Sequence, residues 1–199
     1  KLEIDYGDGT KEMLDRVPIG GEDIPSPCFN NCLKKNTYKG THDYGVPGEY
    51  TIWVQDPNRI ADICNIDGGN SVGVQFYLES QLNIPDPQFF GFNNSPDLLQ
   101  PPVDCGNVCQ VFKHNPNAFD PDGDSLAYEL VVPKSAKGLD VPNYQWPNEI
   151  FPVIPPSCSL RTDMSLNPIT GEFIWNAPQK PCTYNIAILI KEYRKGQLI

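Results

Sequence analysis

The sequence predicts an all-β protein of two β-sandwich domains, and three observations carry that expectation. The 199 residues include 21 prolines and 16 glycines, the composition of many short strands joined by ordered turns. Tyr, Phe, Val, Ile and Thr cluster in short runs whose apolar residues alternate, which is the period of a half-buried strand. No long segment has the apolar spacing of a helix. A chain of this length can also bury enough surface for either one large β domain or two of roughly 100 residues.

Strand-like runs come first at 2–6 (LEIDY), 49–56 (EYTIWVQD) and 71–84 (SVGVQFYLESQLNI). Between the first pair, "YGDG" at 6–9 is a hairpin signal, because Asp-Gly readily supplies the positive φ angles of such turns. Residues 18–45 lack apolar periodicity and read as a long loop. The Pro- and Asn-dense stretch near 83–104 reads as a linker, so the expected boundaries are 1–84, a connecting region at 85–104, and 105–199. Further runs follow at 108–113, 126–133, 150–154, 160–165, 171–176 and 183–194, the last apolar enough for a central strand.

Seven cysteines, at 28, 32, 64, 105, 109, 158 and 182, lack the CxxC pairs and histidine partners of a zinc site. They read as disulfides of an oxidising compartment. Two pairs are local, Cys28 with Cys32 and Cys105 with Cys109, while Cys158 and Cys182 flank an expected hairpin. Loop-closure entropy assigns about 2 kcal/mol to each local bridge and about 3.5 to the longer one. Cys64 is then left over, expected buried and free.

The 25 acidic and 15 basic residues give a net charge of −10, which repels nucleic acid and anionic membrane surfaces and favours cations. No window approaches ~18 consecutive apolar residues, so membrane insertion is not expected. The opening "KLEIDYGDGT" reads as strand and turn rather than as a signal peptide, so the chain is expected to be an excised or processed segment.

Two motif sets resemble known families. "IDYGDGT" followed by "YKGTHDYGVPGEYTIWV" resembles the PKD domain through Tyr6, Gly7, Asp8, Gly9, His42, Tyr44, Pro47, Gly48 and Tyr50. "NNSPDLLQPPVDCGNVCQVFKHNPNAFDPDGDSLAYELV", with the later "LNPITGEFIWNAP" and "YNIAILIKEYRKGQLI", resembles bacterial cadherin-like, dystroglycan-type modules. The tandem is similar to segments of large surface proteins that gliding bacteria export by the type IX secretion system. The resemblance implies two Ig-like sandwiches on the cell surface, with neighbouring domains of one long chain as partners and surface glycans or proteins as further candidates. It also implies one more strand after the "KGQLI" turn, so the second module is expected to lack its last strand.

"DPDGD" at 120–124 carries the chemistry. Asp120, Asp122 and Asp124 alternate around Gly123, and carboxylates so placed can converge on a hard cation that needs oxygen at about 2.3–2.6 Å. The cadherin resemblance implies calcium at a domain junction, with Asn93, Asn94, Asp97 and Glu79 completing the shell. The same residues also form a type I turn capped by an aspartate, which needs no ion. Both readings stand at this point. A catalytic pair would need carboxylates facing each other across a cleft, which three acids of one turn do not provide. Of the two histidines, His42 and His114, neither lies in a nucleophile motif, so no enzyme is expected.

Trp53 and Trp175 fall inside strands and read as core. Trp146 and the Phe89, Phe90 and Phe92 cluster lie in loops and could form a sugar-stacking surface. Asn93-Asn94-Ser95 and Asp124-Ser125-Leu126 fit short glycosylation patterns. The expected role is a structural or adhesive repeat segment, a spacer or stalk of a secreted surface protein. The alternative is an accessory carbohydrate-binding module of a secreted hydrolase.

Overall fold

A computed structural model describes residues 1–25, 33–84, 93–152 and 162–199. Those residues form an all-β protein with short 3-10 turns and no α-helix. The strands are β1 (Leu2–Asp5), β2 (Lys11–Leu14), β3 (Glu22–Ile24), β4 (Leu33–Lys35), β5 (Gly48–Asp56), β6 (Phe76–Ile84), β7 (Asp97–Leu98), β8 (Phe112–His114), β9 (Ala118–Phe119), β10 (Ser125–Val131), β11 (Lys134–Ala136), β12 (Leu139–Asp140), β13 (Asp163–Leu166), β14 (Phe173–Asn176), β15 (Ala187–Arg194) and β16 (Gln197–Leu198). Contacts divide the chain into two compact units, residues 1–57 with 76–92 and residues 58–75 with 93–199.

The first unit is an antiparallel sheet in the order β2-β1-β5-β6. Its β1–β2 turn is built by aspartates: Asp5 Oδ1 accepts the Gly7 N–H at 2.9 Å, and Asp8 Oδ1 accepts the Thr10 N–H at 2.9 Å and its hydroxyl at 2.6 Å. Gly7 has φ 82°, and a Cβ there would sit 2.6 Å from the Thr51 carbonyl oxygen, so both conformation and space demand glycine. The residues of the first motif set gather beside this turn. Tyr6 stacks on His42 with ring centroids 4.1 Å apart, His42 Nε2 lies 2.7 Å from Asp8 Oδ2, and the Tyr44 hydroxyl donates to the Tyr6 carbonyl at 2.8 Å.

Two expectations change in this unit. The region 18–45 contains a hairpin, β3 against β4, because Glu22, Asp23 and Ile24 pair with Lys35, Lys34 and Leu33; a strand pair this short carries too little periodicity to see in sequence. The strand expected at 71–84 begins only at Phe76, since residues 71–73 are a 3-10 turn.

The reason lies in the second unit. Ile63, Ile66, Val74 and Val141 form a buried cluster with Tyr144 against it, and Ser71 ties the segment down by donating to the Ile60 carbonyl at 2.6 Å and accepting the Ile63 N–H at 3.2 Å. Burial of these apolar residues overrides local alternation. Arg59 donates to the Asn185 side chain and to the Gln75 and Lys134 carbonyls. Asn65, 1% exposed, donates to the carbonyls of Gln145 and Asn185 and accepts the Asn185 N–H.

Cys64 is bonded to Cys182, 118 positions away, with Cα atoms 6.2 Å apart. This overturns the Cys158–Cys182 pairing and the free Cys64. The cause is tertiary: Ile63 bridges Thr183 and the Cys64 N–H donates to the Thr183 carbonyl at 3.0 Å, which aligns the two cysteines. Cys105 and Cys109 are both disulfide-bonded. Cys28, Cys32 and Cys158, together with Phe89, Phe90 and Phe92, lie outside the described residues.

The remaining strands of the second unit form small sheets in the orders β10-β15-β16, β13-β14-β8, β11-β12 and β7-β9. β14 buries Phe173 and Trp175 on one face, 1% and 4% exposed, as period-2 alternation requires. Trp53 in the first unit is only half-buried and stacks on Tyr77 at 5.7 Å. Residues 150–152 and 183–186, expected as strand, lie outside the strands.

Candidate metal centre

The acidic turn joins β9 to β10. Asp120 closes it from within: its Oδ1 accepts the N–H groups of Asp122 and Asp124, each at 2.9 Å, while Gly123 takes φ 81° and donates to the Asp120 carbonyl. The aspartate-capped turn is therefore present in full. It uses only one of the Asp120 oxygens.

The turn meets β15, which pairs antiparallel with β10 and sets Leu126 opposite Glu192 and Ser125 opposite Tyr193. Alternation then directs Glu192 and Arg194 to the same face. Arg194 forks onto Asp124, its Nε 3.0 Å from both carboxylate oxygens and its Nη2 bonded to the second, and the same Nη2 reaches Asp122 at 3.2 Å and the Asn93 side-chain oxygen. Asn94 completes the clasp by donating its N–H and its side-chain amide to Asp122 at 2.7 and 2.9 Å.

Asp120, Asp124 and Glu192 each offer a carboxylate oxygen within 4.8 Å of the others. Asp120 and Glu192 are 7% and 8% exposed, and Asp120 Oδ2 and Glu192 Oε1 are buried with no hydrogen-bond partner. Burial, and then the facing Asp120 and Asp124, push the Glu192 carboxyl above its ordinary range, against the opposing pull of Asn93. Asp122 is held below its ordinary range, chiefly by the two Asn94 bonds and then by Arg194. Of these four carboxyl groups, the Arg194 guanidinium pairs with Asp122 and Asp124. Two desolvated acceptor oxygens and an excess of negative charge are satisfied by a proton or by a hard cation, since a buried charge without a partner is costly. The donor set is all carboxylate oxygen, the preference of calcium rather than of a soft metal.

Of the residues singled out from the sequence, Asp120, Asp122, Asp124, Asn93 and Asn94 come together here. Asp97 lies nearby in sequence register, on β7 opposite Phe119, with its side chain exposed. Glu79 belongs to β6 of the first unit and accepts the Tyr77 hydroxyl at 2.9 Å. Sequence reasoning missed Glu192 and Arg194. Their signal was the charged run of Lys191, Glu192 and Arg194 closing an otherwise apolar strand, where an inward polar residue calls for a partner. His114 lies on β8 with Nδ1 3.6 Å from Asp104 Oδ2, apart from this turn in hydrogen bonding.

Compared with protein-family models, with curated proteins and with solved structures, the chain matches none.

Proposed function

We propose that this chain is a non-enzymatic structural segment of a large secreted surface protein: two Ig-like modules in tandem, PKD-like then cadherin-like, that extend and present adhesive regions. In this reading calcium occupies the acidic turn, held by Asp120, Asp124 and Glu192, with Asn93, Asn94 and Asp122 positioning the turn through Arg194. The observation that carries it is the pair of buried, unpartnered carboxylate oxygens on Asp120 and Glu192. Disulfides at Cys64, Cys182, Cys105 and Cys109 support an oxidising, extracellular setting. The charge of −10 supports a partner other than nucleic acid.

The test is calorimetric titration with calcium and thermal unfolding in calcium against EDTA. Calcium at ten times its Kd adds about 1.4 kcal/mol of stability. Glu192→Gln abolishes that gain, and in EDTA it raises stability, because it removes a buried carboxylate that faces two others. A wild-type chain with equal melting temperatures in calcium and EDTA, and no heat of binding, refutes the cation.

A further inference from the structure

A second polar site lies in the second unit, away from the acidic turn in composition and sharing no residue with it. Asp67, Gly68, Asn143, Tyr144 and Gln145 line an open recess of about 500 Å³. Its two walls come from chain segments 76 residues apart, joined where the Asn143 side-chain amide donates to Asp67 Oδ1 at 2.8 Å. Asp67 and Asn143 both hold φ in the left-handed region, 45° and 48°. Asp and Asn tolerate this conformation better than other non-glycine residues, and the bonds around them select it here.

Asn65 does the selecting. It donates to the Gln145 carbonyl at 3.1 Å and accepts the Gln145 N–H on its own carbonyl at 3.1 Å, so the residue that leads into Asp67 also pins the opposite wall. Tyr144 is anchored on the same network, donating its hydroxyl to the Asn185 carbonyl at 3.1 Å and meeting Trp146 edge-on at 5.3 Å. The recess is therefore preorganised, which lowers the ordering cost of binding.

Its chemistry narrows the ligand. Beyond their mutual bond, the Asp67 carboxylate retains acceptor sites, and Asn143 and Gln145 each bring an amide that donates and accepts. A single carboxylate is too few oxygen ligands for a cation of its own. The net charge and Asp67 disfavour phosphate or carboxylate ligands, and an open recess lined by both polar and apolar surface suits a ligand with both polar and apolar faces better than a wholly lipophilic one. What remains is a neutral molecule rich in hydroxyls with one apolar face to lay on an aromatic wall. We infer that this recess binds a neutral saccharide, with Asp67 and Asn143 hydrogen-bonding neighbouring ring hydroxyls and Tyr144 supplying the apolar wall.

The experiment follows backbone amide resonances of the whole chain during titration with glucose, galactose, mannose and N-acetylglucosamine, and screens the same protein on an array of oligosaccharides. One or more of these sugars shifts the Gly68, Asn143 and Gln145 amides with millimolar affinity. Asn143→Gly and Asp67→Gly each weaken binding about tenfold or more, while glycine keeps the left-handed backbone and hence the fold. Asp97→Asn leaves binding unchanged. Binding persists in EDTA, which separates this site from the cation turn. Silence from all four sugars and from the array, or equal affinity in both glycine variants, overturns the proposal.

Discussion

Asn65→Ala tests the network that holds residues 58–75 in the second unit. The side chain is 1% exposed and makes three bonds: to the Gln145 carbonyl at 3.1 Å, to the Asn185 carbonyl at 2.7 Å, and from the Asn185 N–H at 2.9 Å. Truncation leaves the Asn185 carbonyl with the Tyr144 hydroxyl, but deprives the Gln145 carbonyl and the Asn185 N–H of these bonds. At about 1–3 kcal/mol for each buried polar group left unsatisfied, the expected loss is about 3 kcal/mol. With an m-value of about 2 kcal/mol/M, the urea midpoint falls by roughly 1.5 M at constant slope. Tryptophan fluorescence reads the transition, Trp146 and Trp175 both lying in that unit. Amide exchange at Asn185 accelerates in parallel. A midpoint shift under about 0.5 M, equivalent to about 1 kcal/mol, would refute the network as a stabilising element.

Three further outcomes follow from the same geometry. Replacing Cys64 and Cys182 together by serine removes a closure across 118 positions; loop entropy sets the loss near 5 kcal/mol, read by denaturant unfolding, and a loss under about 1 kcal/mol contradicts it. Gly7→Ala costs about 1–2 kcal/mol from its left-handed backbone alone, and more from the 2.6 Å approach to Thr51, so a variant as stable as the parent by thermal unfolding contradicts the fit. Asp8 is held down at about 2 by the Thr10 hydroxyl first and then by His42. Its folded-state value lies below its unfolded one, so its contribution is present above about pH 4 and is lost as pH falls through about 2. Thr10→Ala raises the Asp8 midpoint seen by carboxyl NMR, and an unchanged midpoint contradicts the assignment.

The parts legible in the sequence are those whose causes are local. The "YGDG" turn needs only Asp5, Asp8 and two glycines, and the DPDGD turn needs only Asp120 and Gly123, so both can be read directly. The all-β class follows from composition and short-range alternation. What stayed hidden depends on contacts across many residues. The run from Ser71 looks like the start of a strand until burial of Val74 against Ile66 and Val141 leaves residues 71–73 as a 3-10 turn. Cys64 finds Cys182 only because Ile63 lies beside Thr183. Glu192 and Arg194 reach the acidic turn only through the β10–β15 register, which periodicity on one strand cannot supply. The half of the candidate centre that lies within one turn was visible; the half that crosses to another strand was not.

The Cys64–Cys182 bond also decides how tension would travel along the chain. A pull entering at Lys1 and leaving at Ile199 runs through residues 1–64, crosses the two sulfurs, and continues from 182 onward. The residues between are bypassed, withholding roughly 400 Å of extended chain at about 3.6 Å per residue over a sequence separation of 118. β5 and β15 lie on the stressed path, while β6, β10 and the acidic turn lie on the slack one. Each long ladder of the molecule, β5 with β6 and β10 with β15, thus pairs one strand on the loaded path with one that the disulfide relieves of load.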